Sequence, residues 1–534
     1  MLEKAILAWK EIPGVEVLTQ EEELERYHHA TGDRVRRIPV ALKVSESSQI
    51  RNILDIAQAH NVSLYPISTG LNWGYGTANP VVDDCAILDM SLMNRIVEFD
   101  AELGIVTVEP GVTQGQLYAY IQERSLPFLV PTTGTGPRAS IMGNALERGY
   151  GVAPYTDHFG AVTAIEVILP NGRTYRPPLT ELGSTVGDRI YKYGLGAYLD
   201  GIFTQSNLGI VTQLTIALAR APEHSEMFVF WISRDEELEE AVAMTKEILA
   251  EYPGTVPFVK MLNQLRAYAI SYPYPKELVD TSGVMSTEKF DALARKRFIT
   301  PWVCMGVVSG QTAVTRVVCK AIKKKIRARG FRHFFFNHWK LAIARGILHL
   351  KPFNRLLIRG TLDRLHSTLE LFLGKPAGIE LSINYWKSGV PLPHDREMDP
   401  GRDHTGLFWF SPLVPMKPDS VRKCITFITA TCRAHQIEPL ITITSLSGIC
   451  LDMTVSILFN AQQEDEVARA HACYAALFKE GKKLGFVPYR IGIDFMPLIE
   501  EEESGVWEVV NLIKNALDPE HIIAPGRYSS SRSI

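Results

Sequence analysis

The chain predicts an α+β protein of two domains, and three features of its 534 residues carry that prediction. From about residue 40 to 220, short apolar runs alternate with amphipathic stretches and glycine-rich turns, the pattern of sheets covered by helices. Beyond residue 222 the character changes to longer strand candidates and an acidic-faced helix. With 46% hydrophobic and 22% charged residues, the composition is that of a globular protein with apolar material for more than one core.

Each element has its own signal. Residues 47–60, SSQIRNILDIAQAH, place Ile50, Ile53, Leu54 and Ala57 at helical spacing behind Ser47 as N-cap. Strands are predicted at 62–68, 86–90 and 104–109, and a helix from Thr113 to Arg124. Strand candidates at 161–169 and 210–219 flank Asn171-Gly172, a hairpin signal that makes this half antiparallel toward its end. In the second part, 226–232 reads as a strand, 234–250 as a helix and 440–459 as strands.

Several classes are excluded or disfavoured. Lys+Arg of 56 against Asp+Glu of 59 provides no basic field for nucleic acid. Seven cysteines without a C-x-x-C pair argue against a disulfide framework or zinc ribbon, and His28-His29 lacks a third ligand at recognisable spacing, so no metal is expected. The opening MLEKAILAWKEIPG reads as an amphipathic helix, and no apolar run reaches the roughly 18 residues of a membrane span, so a reducing, cytoplasmic setting is expected. Phosphate-loop, H-E-x-x-H and G-x-S-x-G signatures are absent. Residues 316–359 hold thirteen Lys or Arg with Phe331, Phe334, Phe335, Phe336 and Trp339, which suits either a solvated helix with a buried aromatic face or a membrane-surface contact.

The informative feature is a pair of glycine-rich loops, PISTGLNWGYG at 66–76 and PTTGTGPRASIMGNALERGYG at 131–151. Such loops let backbone approach closely and point successive N–H groups at a phosphate-bearing ligand. Within the second, GTGPRA at 134–139 matches G-x-G-x-x-A with Asp157 near the ribose-acid distance, but Pro137 and the preceding threonines favour a structured loop over a strand-to-helix turn.

PISTGLNWGYG, EPGVTQGQLYAYI at 109–121, MGNALERGYGVAPYTDHFG at 142–160, FTQSNLGIVT at 203–212, VPYRIGIDFM at 487–496 and IIAPGRY at 522–528 stand in collinear order. Together they resemble the vanillyl-alcohol oxidase and p-cresol methylhydroxylase family of FAD enzymes. The resemblance covers about 40–220 and 480–528; in the middle it rests on GLFWFSP at 406–412. It implies an α/β FAD-binding domain at 1–222, an α+β cap domain at 223–482 that supplies much of the substrate pocket, and a segment at 483–534 returning to the FAD domain. Ser68, Thr69, Gly70, Asn72, Gly74 and Gly76 of the first loop and Thr133, Gly134, Gly143, Asn144 and Gly149 of the second would hold FAD. Gly209, Ile210 and Val211 would lie beside the adenine half, and Arg527 near the flavin pyrimidine, where a cation stabilises reduced, anionic flavin.

Many relatives attach FAD through a His or Tyr in the segment resembling GLFWFSP; here Leu407 stands at that position, with His404 three residues earlier. Asn72 falls where a bicovalent relative carries histidine, and 131–151 has no cysteine, so non-covalent FAD is expected.

Tyr75, Tyr489 and Arg490 match the family's phenolate clamp, whose charged and O–H donors favour the anionic form of a substrate phenol. Asp157 matches a family acid near flavin N5, while the adjacent His158 reads as structural. The resemblance thus implies oxidation of a para-substituted phenol, a 4-hydroxybenzyl alcohol or 4-alkylphenol, by hydride transfer through a p-quinone methide. Oxygen or a redox protein would accept the electrons, in a homo-oligomer. The alternatives are oxidation of a non-phenolic alcohol or amine in secondary metabolism, a non-redox FAD enzyme resembling alkyl-dihydroxyacetonephosphate synthase, and a flavin-binding subunit that docks an electron carrier.

Overall fold

The computed structural model describes residues 1–32, 34–151, 155–350, 355–500 and 504–529. Strands Glu16–Leu18, Ala41–Lys43, Ala86–Asp89 and Leu64–Ile67 form a first sheet in that order, the last three mutually parallel. Ala86–Asp89 is buried along its whole length, which is why it reads as an unbroken apolar run rather than an alternating one. The helix Ser47–His60 is capped by Glu46, not Ser47, because Gln49 at the third helical position accepts from the Glu46 N–H at 3.1 Å.

The C-terminal residues join this sheet. Leu64 N–H donates to Ile522 O and Ala524 N–H to Leu64 O, both at 2.8 Å. Lys514, 1% exposed, donates to Asn207 O at 2.7 Å and Ile523 O at 2.9 Å and pairs with Asp518. A buried ammonium with three oxygen partners thus pins the tail against the 206–211 segment and delivers Arg527 to the site.

The second sheet orders Ile96–Asp100, Ile105–Val108, Ile210–Ala217, Val162–Ile168 and Thr174–Tyr175, all antiparallel. The Asn171-Gly172 turn closes a hairpin between Val162–Ile168 and Thr174–Tyr175; Ile210–Ala217 pairs along the other side of Val162–Ile168.

The largest sheet has eight strands. Seven run in the order Arg332–Phe336, His224–Ile232, Trp302–Gly310, Val259–Asn263, Leu440–Ser445, Cys450–Asn460 and Thr405–Phe410, with Leu413–Pro415 also paired to Cys450–Asn460. Alternation sorts its faces. Met261, Ile441, Ile443, Met453, Val455, Phe408 and Phe410 pack into one core with the buried stripes of helices Leu238–Glu251, Thr312–Ala328, Pro418–Ala434 and Glu464–Leu484. Their neighbours Lys260, Thr442, Thr444, Thr454, Leu407 and Trp409 line a cleft on the other face.

In the basic segment, Phe331, Phe335 and Phe336 are buried, Lys325 pairs with Glu247 and Glu251, and Arg329 pairs with Glu247, while Trp339 is 72% exposed. Residues 351–354 of it lie outside the described residues. No described helix is long and apolar enough to cross a membrane.

Candidate active site

One cleft runs between the two glycine-rich loops, the 206–211 segment and the polar face of the large sheet. Of the residues predicted to hold a cofactor, Ser68, Thr69, Gly70, Asn72, Thr133, Gly134, Gly143, Asn144, Gly149, Gly209, Ile210, Val211 and Arg527 all line it. Gly74 and Gly76 do not. Gly74 has φ +79°, and a Cβ there would lie 2.1 Å from Trp409 Cδ1, so this glycine lets the large sheet close onto the loop. Gly76 is similarly packed against Ile493. The 134–139 match is loop, as Pro137 implied: the following helix begins at Ile141.

Arg490 and Tyr489 follow the helix Glu464–Leu484 on a segment that returns across the cleft toward Tyr75. The Arg490 guanidinium lies over the Tyr75 ring at 4.1 Å and donates to Asn72 Oδ1 at 2.6 Å. Gln205 fixes the backbone beneath, its amide donating to Tyr489 O and Glu147 O at 3.1 Å each. The predicted trio therefore converges.

Sequence reasoning missed what holds the trio together. Glu147, inside the second glycine-rich loop, bridges the two arginines: one oxygen is 3.2 Å from Arg490 Nε and the other pairs with Arg527 Nη2. Arg527 also donates to Tyr65 Oη at 2.5 Å. Burial would raise the Glu147 carboxyl, but Arg527 and Arg490 outweigh it and hold it below its ordinary value. The only sequence signal was a lone acid in a loop otherwise suited to an anion.

Asp157 does not join this group. It is exposed and outside the cleft, and its Oδ1 accepts from the Gly160 N–H at 2.8 Å. Its backbone forms a short antiparallel bridge with Tyr150, and its side chain caps the following turn. His158 beside it is buried and structural: Nδ1 meets Asn144 Nδ2 at 2.6 Å, and burial lowers the imidazole to about 4.

A fully buried acid, Asp452, stands behind Tyr150 of the cleft wall. Tyr150 and Thr454 both donate hydroxyls to it, and the Tyr150 ring is tilted at 48° against Tyr489 with ring centroids 5.7 Å apart. Burial pushes Asp452 up to about 6 despite those hydrogen bonds. Burial likewise raises the Tyr489 and Tyr75 hydroxyls, with Arg490 pulling both the other way. Asp452 escaped notice because it sits mid-strand in an apolar run with no motif around it.

Leu407 is fully buried, faces the cleft and packs with Leu265, Trp386, Leu440 and Leu458. Strand pairing opposes Leu407 to Leu458, which leaves His404 exposed in the preceding turn with φ +52°.

A family model for an FAD binding domain matches residues 39–176. The chain is 32% identical to the 1'-carboxy-chondrochloren decarboxylase of Chondromyces crocatus, covering 99% of this chain and 97% of that protein. It is 28% identical to the 4-cresol dehydrogenase [hydroxylating] flavoprotein subunit of Pseudomonas putida, over 91% of this chain and 87% of the relative. The crystal structure of p-cresol methylhydroxylase with substrate bound superposes with a TM-score of 0.88 at 23% identity, over 100% and 98% of the two chains. A cleft between glycine-rich loops and a cap sheet, in a fold shared end to end with these proteins, gives the identity: the chain belongs to the vanillyl-alcohol oxidase and p-cresol methylhydroxylase family of FAD-dependent oxidoreductases.

Proposed function

We propose that this FAD-dependent oxidoreductase oxidises a para-substituted phenol at its benzylic carbon. The observation that carries the reading is the convergence of Tyr75, Tyr489 and Arg490 in a cleft where Arg490 is already charge-paired through Glu147. The loop residues lining the cleft suit FAD: Gly70, Gly134, Gly143 and Gly149 put no side chain into it, and Arg527 is a buried cation at one end. Leu407 provides no nucleophile, so FAD binds non-covalently, and acid precipitation leaves the flavin in the supernatant. FAD held by these loops and Arg527 would supply a two-electron hydride acceptor, and loss of hydride from the benzylic carbon would leave the substrate as a p-quinone methide.

This chain's residues prepare the substrate. Arg490 and the two tyrosine hydroxyls hold the phenol oxygen as phenolate, whose charge pushes toward the para carbon. Asp452, near neutrality at about 6, accepts from Tyr150 and orders the tyrosines beside the ring. Trp409 and Leu407 close the cleft against water. Anaerobic mixing with 4-hydroxybenzyl alcohol bleaches the flavin and yields 4-hydroxybenzaldehyde; an unbleached flavin refutes the reading.

A second outcome is favoured by the decarboxylase name of the Chondromyces crocatus relative. When the carbon next to the benzylic position bears a carboxylate, the quinone methide collapses without water. The C–CO2 electron pair becomes a new C=C bond, CO2 leaves, and the phenolate is restored. Release of CO2 in step with flavin reduction distinguishes this outcome.

A further inference from the structure

Beyond the phenol clamp, the cleft holds a second set of charges. Arg266 lies in the first turn of the helix Gln264–Ser271, where the Asn263 side chain accepts its backbone N–H at 2.9 Å. Its side chain lines the cleft, the residue is 5% exposed, and Nε and Nη1 have no hydrogen-bond partner. Lys260 Nζ lies 2.8 Å from Glu380 Oε1, and Glu380 is the acid facing both cations. Half-buried Lys260 is committed to Glu380 and also faces Asp452, so the Nε and Nη1 hydrogen bonds of buried Arg266 remain unmade. A buried guanidinium with unused donors is costly unless an anion completes it.

The position of this charge relative to the clamp follows from the sheet. Lys260 is opposite Thr444, and Thr444 is opposite Asp452, the partner of Tyr150 beside Tyr489. Two strand spacings separate Lys260 from Asp452, about 10 Å between backbones. That span accommodates a ring and a short chain.

We propose that Arg266, supported by Lys260, forms a carboxylate subsite, so that the substrate is an aromatic compound whose para side chain carries a carboxylate. The inference rests on the same cleft being the substrate site. The planar, permanently charged Arg266 guanidinium suits a carboxylate better than a lone hydroxyl or carbonyl. The Glu380 carboxylate keeps Lys260 in place.

The test uses the FAD-bound protein and two probes without a phenol, 3-phenylpropanoate and 3-phenylpropan-1-ol, compared by equilibrium dialysis. The acid is expected to bind roughly ten- to a hundredfold more tightly, the range for hydrogen bonds to a charged group. Arg266→Gln collapses that preference, and Arg266→Lys, which keeps the charge, retains part of it. Equal binding of acid and alcohol by the unaltered protein overturns the proposal without needing any variant. An acid preference that survives Arg266→Gln, or loss of FAD from that variant, also overturns it, the latter by assigning the guanidinium to the cofactor. The phenol reading is scored separately by flavin bleaching with 3-(4-hydroxyphenyl)propan-1-ol. Bleaching without acid preference removes only the subsite, and acid preference without bleaching removes only the phenol reading.

Discussion

The glycine-rich loops and the cleft-facing side of the large sheet meet at the same site, yet they are written in the chain in opposite ways. The loops are contiguous. In the first, Gly70, Asn72, Gly74, Tyr75 and Gly76 fall within eleven residues at 66–76, and backbone conformation fixes which residues can stand there. The sheet face is assembled from Lys260, Leu407, Trp409, Thr442, Thr444 and Thr454, every second residue of strands far apart in sequence. Contiguous sites show in composition and spacing; faces built across strands need register, which pairing alone supplies. Glu147 belongs to the first kind by position but acts across both regions, since it joins Arg490 to Arg527.

The largest effect is expected where the two regions are bridged. Glu147→Leu leaves Arg490 and Arg527 buried without their shared counter-charge, and should cost about 3–5 kcal/mol of stability, read from urea unfolding of the FAD-bound protein. A loss below about 1 kcal/mol would show that the arginines find other partners.

At the loop side, Gly74→Ala forces a Cβ into Trp409 at a positive φ. A destabilisation of roughly 1–3 kcal/mol is expected, with Trp409→Phe relieving part of it. Failure of the second substitution to compensate would separate the two regions.

On the sheet side, Asp452 has a native value of about 6 against an ordinary 3.8. Its protonated form is therefore favoured by folding: the contribution is fully present below about 3.8 and is lost as pH rises through about 6. Asp452→Asn should gain on the unaltered protein by the order of 2 kcal/mol between pH 4 and 7. Parallel pH profiles for the two would place the acid in water instead.

The smallest effect is expected at Asp157. Asp157→Ala removes a turn hydrogen bond and should cost about 0.5–2 kcal/mol, with the rate of flavin reduction in stopped-flow unchanged. A hundredfold slower reduction would return Asp157 to the chemistry.

These contrasts show how far the sequence was legible. The mixed fold, the antiparallel second sheet, the cofactor loops and the Tyr75, Tyr489 and Arg490 set could be read because each rests on local pattern or a motif in order. Asp157 shows what a motif leaves open: it specifies sequence neighbours and not the direction of a side chain, and here the carboxylate caps the turn at Gly160 outside the cleft. Asp452, Lys260 and Arg266 were invisible for the opposite reason. Nothing near them in sequence marks them, and only strand pairing brings Lys260, Thr444 and Asp452 into one row.

The most direct test of the central claim compares anaerobic flavin reduction by 4-hydroxybenzyl alcohol and 4-methoxybenzyl alcohol, in the unaltered protein and in Arg490→Ala. The methyl ether cannot form a phenolate. The clamp predicts that the phenol reduces the flavin and the ether does not, and that Arg490→Ala lowers kcat/KM for the phenol roughly ten- to a hundredfold with FAD retained. Equal reduction by phenol and ether, unaffected by Arg490→Ala, would contradict it.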